Sequence, residues 1–130
     1  MREILFRGKT DKGEWVYGVP VQVGEFTEMH DFDFEYQKMN EPLVSEETIG
    51  QYTGLTDKNG NKIFEGDILN GYSLFGDSDF RNSVVEWSDL FLCFKAGNFS
   101  LYGDGLQTYE VIGNIHDNPE LLERSVNDER

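Results

Sequence analysis

The sequence predicts a mainly β protein: an N-terminal hairpin, a small, partly open barrel-like β region and a short C-terminal helix. Three observations predict it. Apolar and polar residues alternate in short runs, Gly and Asn interrupt those runs where tight turns are needed, and one stretch alone has the pattern of a helix start. Ile4-Leu5-Phe6 and Trp15-Val16-Tyr17 flank Thr10-Asp11-Lys12-Gly13, whose glycine enters positive φ at little cost, so the chain opens with a hairpin. Residues 48–52 and 62–69 flank Asp57-Lys58-Asn59-Gly60, and its Asn-Gly pair is the strongest short hairpin signal in the chain. Further strands are expected over residues 83–87, 90–95, 99–102 and 109–115, with Gly103-Asp104-Gly105 as a tight bend. The helix is expected from Asn118, a good N-cap residue followed by Pro119 at the first helical position and Glu120 near the positive helix end. Leu121 and Leu122 anchor it, and the chain frays after Ser125.

At 130 residues the chain has the size of a single domain, residues 1–130. Leu, Ile, Val and Phe supply more than a quarter of it, enough to bury a core without covalent staples. Cys93 is the sole cysteine, so no internal disulfide can form, which suits a reducing compartment. The longest apolar run, Leu90-Phe91-Leu92-Cys93-Phe94, is too short for a membrane span, and Met1-Arg2-Glu3 leads into an alternating segment rather than the apolar core of a secretory signal. The formal net charge is −14 and the pI about 4.3, which disfavours docking on nucleic-acid phosphates or anionic lipid. Half of that charge, −7, lies in residues 25–49. The organisation read from this is a hairpin over 1–24, an acidic insert over 25–47, a barrel-like β region over 48–116, and a helix and tail over 117–130.

Three blocks then carry a family likeness. They are Ile4-Leu5-Phe6-Arg7 with Trp15-Val16-Tyr17-Gly18; the run from Thr48-Ile49-Gly50-Gln51-Tyr52-Thr53-Gly54 through Asp57-Lys58-Asn59-Gly60-Asn61-Lys62-Ile63-Phe64-Glu65-Gly66-Asp67-Ile68-Leu69; and Val111-Ile112-Gly113-Asn114-Ile115-His116-Asp117-Asn118-Pro119-Glu120-Leu121-Leu122. In this order they resemble the YopX family of bacteriophage and prophage proteins. Residues 24–45 and 71–82 fall outside the pattern. The resemblance implies a phage origin, a mainly β fold and a place in the cytoplasm of the infected or lysogenic bacterial host; it implies no activity and no catalytic residue. The closely spaced short strands ending at Ile115 resemble an SH3-like barrel, an analogy of fold alone.

Candidate sites rest on their chemistry. Asp57, Asn59 and Asn61 mimic the first positions of a calcium loop, but Lys62 and Ile68 stand where such a loop needs Gly and a bidentate Glu, so the run is read as a turn. Met29-His30-Asp31-Phe32-Asp33-Phe34-Glu35-Tyr36 alternates strictly. Extended, it places Asp31, Asp33 and Glu35 on one face at roughly 7 Å intervals and Phe32, Phe34 and Tyr36 on the other. Three uses compete: a Mg²⁺ or Mn²⁺ site with His30, an edge strand with its aromatics packed inward and its charge outward, or a partner-binding aromatic row. Glu65-Gly66-Asp67 reads as a bend in which Asp67 hydrogen-bonds turn backbone, ahead of an acid/base pair. His116-Asp117 is expected in a loop before the helix, and Cys93 as a packing residue.

No catalytic residue, no metal site and no cofactor is assigned. The favoured function is a non-enzymatic binding module for a host or phage protein through Asp31, Phe32, Asp33, Phe34, Glu35 and Tyr36, with a homo-oligomer possible and neither nucleic acid nor membrane bound directly. One alternative is an acidic DNA mimic that occupies a nucleic-acid-binding protein. Another is a metal-dependent hydrolase built on the cluster of His30, Asp31, Asp33 and Glu35.

Overall fold

The computed structural model describes residues 3–72, 79–97, 99–101 and 108–122. Strands dominate, as expected, and the chain gathers into two compact units, residues 1–52 and 53–130. In the first unit β1 (Phe6–Lys9) and β2 (Trp15–Val23) form the expected hairpin, with the register Phe6↔Gly18 to Lys9↔Trp15. Past Gly18 the same strand changes partner and pairs with β3 (Phe26–Asp33), Val19↔His30 to Val23↔Phe26. The far edge of β3 carries β4 (Lys38–Asn40) and then β5 (Leu43–Val44). A 3₁₀ turn over Glu46–Thr48 brings the chain back to β1, where the Lys9 N–H donates to the Thr48 hydroxyl at 2.8 Å and the Ser45 N–H to the Lys9 carbonyl at 2.8 Å. The opening residues of β6 (Gly50–Thr56) then pair with β1. Met29 is fully buried, its end and Val44 lying against Gly8.

Gly18 is fixed by space. A Cβ at this position would overlap the carbonyl oxygen of His30 and touch the side chain of Asp31, so only glycine lets β2 approach β3 this closely. The half-buried Trp15 is covered by the cations of Arg7 and Lys9, 4.6 and 5.4 Å from its ring centre.

In the second unit β6 runs on into the Asn-Gly turn and returns as β7 (Lys62–Phe64). Next come β8 (Asp67–Tyr72), β9 (Asp79–Ser88), β10 (Cys93–Ala96), β11 (Phe99–Ser100) and β12 (Tyr109–Asn114). The last five form an antiparallel sheet in the order β11-β10-β9-β8-β12, with its two ends unjoined, so no closed barrel forms among the described residues. Ile63, Leu69, Phe80, Val85, Phe94, Ala96, Leu101 and Tyr109 make its core.

Asp57 ties this unit together. Its carboxylate, only 2% exposed, accepts the N–H groups of Asn59 and Asn61 on Oδ1 and that of Val111 on Oδ2, each at 2.9 Å, and the Asn61 amide also reaches it. The expected turn is therefore present, and its acid is spent on backbone rather than a cation. Burial pushes the Asp57 carboxyl up, but the donors, led by the Val111 N–H, outweigh it and hold it below its usual range. The Glu65-Gly66-Asp67 bend is equally structural. Gly66 sits at φ +90°, its N–H donates to the Val85 carbonyl at 3.0 Å, and its own carbonyl accepts the Ile115 N–H at 2.9 Å. The buried Asp67 accepts the Phe64 N–H at 2.8 Å.

Several expectations change. The bend splits the strand expected over 62–69 into β7 and β8. The strand expected over 90–95 begins only at Cys93, because Ser88 pairs with Cys93 and the four residues between them must reverse the chain. Leu90, Phe91 and Leu92 thus form an exposed turn, with Leu92 at φ +54°. Tyr17 and Trp87 are nearly half exposed. At the C-terminus the Leu121 and Leu122 N–H groups donate to the Asn118 and Pro119 carbonyls, which starts the expected helix, but the Asn118 side chain turns back to accept the Asn114 N–H at 3.2 Å. The expected bend at 103–105, the end of the 99–102 strand and the tail lie outside the described residues.

Two outcomes follow. Gly18→Ala should lower unfolding free energy by on the order of 3 kcal/mol through overlap and strain; a urea midpoint matching wild type would show that β2 and β3 need not approach this closely. Asp57→Asn should cost about 2–3 kcal/mol near neutral pH by placing an amide against the Val111 N–H. Because the folded-state carboxyl lies below its unfolded value, this contribution is complete above the ordinary carboxylate range near pH ~4 and fades as pH falls through the folded value. The stability gap between wild type and variant should therefore shrink on acidification.

Candidate interaction surface

Alternation along β3 sends Thr27 and Met29 inward, while Glu28, His30 and Phe32 take the other face. The strand ends at Asp33, and residues 34–37 form a four-residue turn into β4, with Gln37 at φ +49°. Asp33 builds that turn: its Oδ1 accepts the Glu35 N–H at 3.0 Å and the Tyr36 N–H at 3.2 Å. Asp31, opposite Asn40, and Asp33, opposite Lys38, share one face as expected, but Glu35 belongs to the turn and leaves that row. The four groups His30, Asp31, Asp33 and Glu35 do not converge. His30 points instead to Glu28, Nε2 to Oε1 at 2.9 Å.

The aromatic residues are not packed inward. Phe34 is 83%, Tyr36 73% and Phe32 40% exposed, and the Phe32 and Phe34 rings meet edge to face with centres 4.8 Å apart. Met39, paired with Phe32 across β4, extends the apolar tip. Physically, this is an aromatic prominence at the end of a hairpin, with Asp31 and Glu35 exposed around it. The inward-packing reading fails because Phe32 stands on the face opposite the buried Thr27 and Met29, while Phe34 and Tyr36 lie in the turn beyond the end of the strand.

The other sequence candidates are accounted for locally. The half-buried His116 lies in the turn before the helix, its N–H and that of Asp117 donating to Asn114 Oδ1 at 3.0 and 2.9 Å. Cys93 is half-buried with Sγ 3.7 Å from the Ser100 hydroxyl. Sequence reading passed over Glu28 and Glu41 beside His30. The two-residue spacing from Glu28 to His30 was a legible signal, whereas Glu41 required the register of β4 and β5. No helix among the described residues is long and apolar enough to cross a membrane.

Comparison with known proteins places the chain. The YopX protein family matches residues 5–123, so this chain belongs to the YopX family. The crystal structure of protein EF1440 from Enterococcus faecalis is similar, with 26% sequence identity and a TM-score of 0.58 over 94% of this chain and 99% of that one. No curated protein sequence matches.

The two aspartates should separate under substitution. Asp33→Ala should cost about 1 kcal/mol by freeing two turn N–H groups, whereas Asp31→Asn, on an exposed side chain, should stay within about 0.5 kcal/mol of wild type. Equal effects in thermal denaturation would remove the turn-building role given to Asp33.

Proposed function

We propose that the protein is a non-enzymatic binding module that engages a host or phage protein through the β3–β4 hairpin tip. The observation that supports this most is the exposure of Phe34, Tyr36 and Phe32 on a turn whose own hydrogen bonds fix its shape. Large exposed rings are disfavoured on a free surface and favoured in a protein contact. The surrounding charge, −7 over residues 25–49, gives the partner a basic rim. An acidic surface also suits a partner that normally holds nucleic acid, and a DNA-mimic role is the same surface used against such a protein. The chain would act in the cytoplasm of a bacterium carrying the phage.

The test is a pull-down from bacterial lysate with the full chain and with Phe34→Ser/Tyr36→Ser, followed by titration of the purified captured protein. The double variant should melt as wild type does and bind at least about tenfold more weakly, and wild-type binding should weaken with added salt. A captured protein that binds both forms equally would sink the reading.

A further inference from the structure

Glu28 and His30 lie two residues apart on one face of β3, and Glu41, in the link between β4 and β5, reaches the same place. One carboxylate oxygen from each Glu and one imidazole nitrogen fall within 4.8 Å of one another. The cross-strand partners of Glu28 and His30 are apolar: Val19 pairs with His30 and Val21 with Glu28 across β2, and Leu43 pairs with Glu28 across β5. Glu28 and His30 are both about a quarter exposed or less, at 22% and 25%. Among the described residues neither Glu28 nor Glu41 pairs with a Lys or Arg side chain. Two carboxylates this close repel each other, and one imidazolium can offset only one of them. The arrangement lacks positive charge at the point where three donor atoms converge.

We propose that Glu28, His30 and Glu41 bind one first-row divalent transition-metal ion, with Zn²⁺ preferred. The imidazole selects against Mg²⁺ and Ca²⁺, which take shells of oxygen, while mixed imidazole and carboxylate donors suit Zn²⁺. Tetrahedral Zn²⁺ with bonds of about 2.1 Å places its ligands roughly 3.4 Å apart, a contraction that side-chain rotation of the exposed Glu41 supplies. Three protein donors leave a fourth position for water or for a donor from a partner. The ion would clamp the β4–β5 link to β3 and so stiffen the hairpin behind its aromatic tip.

Isothermal titration calorimetry of the full chain, freed of metal, with ZnCl₂, MgCl₂ and CaCl₂ at matched ionic strength tests this. One Zn²⁺ per chain should bind saturably, with Mg²⁺ and Ca²⁺ at least about tenfold weaker. Glu41→Gln and His30→Gln should each weaken Zn²⁺ binding by about tenfold or more. Glu41 is exposed, so its variant should keep the metal-free melting temperature and decides the matter even if His30→Gln folds poorly. Absence of Zn²⁺ binding, equal binding of Mg²⁺, or wild-type Zn²⁺ affinity in Glu41→Gln would each overturn the site. So would binding lost only when Cys93 or His116 is substituted.

Discussion

The first unit depends on one close approach, the passage of β2 across the His30 carbonyl at Gly18. Up to Gly18 the strand is bonded to β1, and after it to β3, so this residue is where two hairpins become one sheet. Any side chain here would push the strands apart at the point where pairing changes hands. The register that follows sets Val19 beside His30 and Val21 beside Glu28, and hence the whole face on which the acid, imidazole and aromatic groups stand. Since a slip of one residue would exchange the two faces, a single absent methyl group decides what this surface presents.

The carboxylates show how environment divides one chemistry into several roles. Asp57 is buried and surrounded by N–H donors, so its charge is consumed in joining the turn to β12. Asp67 does the same on a smaller scale for the Gly66 bend. Asp33 is intermediate: two backbone donors hold it at the turn, with solvent nearby. Asp31 and Glu35 are exposed at the hairpin, and there the charge faces outward. Hydrogen bonding to donors separates structural acids from surface acids in this chain, and residue type does not.

Much of the fold was legible because it depends on local chemistry. The Thr10–Gly13 and Asp57–Gly60 turns, the Gly66 bend and the helix start at Asn118 each follow from a few adjacent residues with strong backbone preferences. What escaped depends on pairing. Leu90-Phe91-Leu92 reads as the start of a strand, yet the match of Ser88 to Cys93 turns it into an exposed reversal. Alternation along residues 29–36 continues past Asp33 in sequence but not in space, because the four-residue turn follows from the pairing of Asp33 with Lys38. Glu41 joins His30 only through the register of a strand two elements away.

The energetics of the hairpin tip explain why its charge matters. The exposed parts of Phe32, Phe34 and Tyr36 together amount to about two full rings, roughly 400 Å² of mostly apolar surface. At about 25 cal/mol per Å² their burial contributes on the order of 10 kcal/mol, which is similar to the cost of associating two proteins. The rings alone would therefore yield weak binding at best. Met39 adds some area. In the proposed binding role the remaining discrimination would come from the acidic rim, whose field extends about 8 Å at physiological salt and would act before the rings touch. In the binding role proposed above, a surface built this way would select a partner by charge on approach and retain it by aromatic burial. That division would give the most acidic segment of the chain a reason to carry the most exposed rings among the described residues.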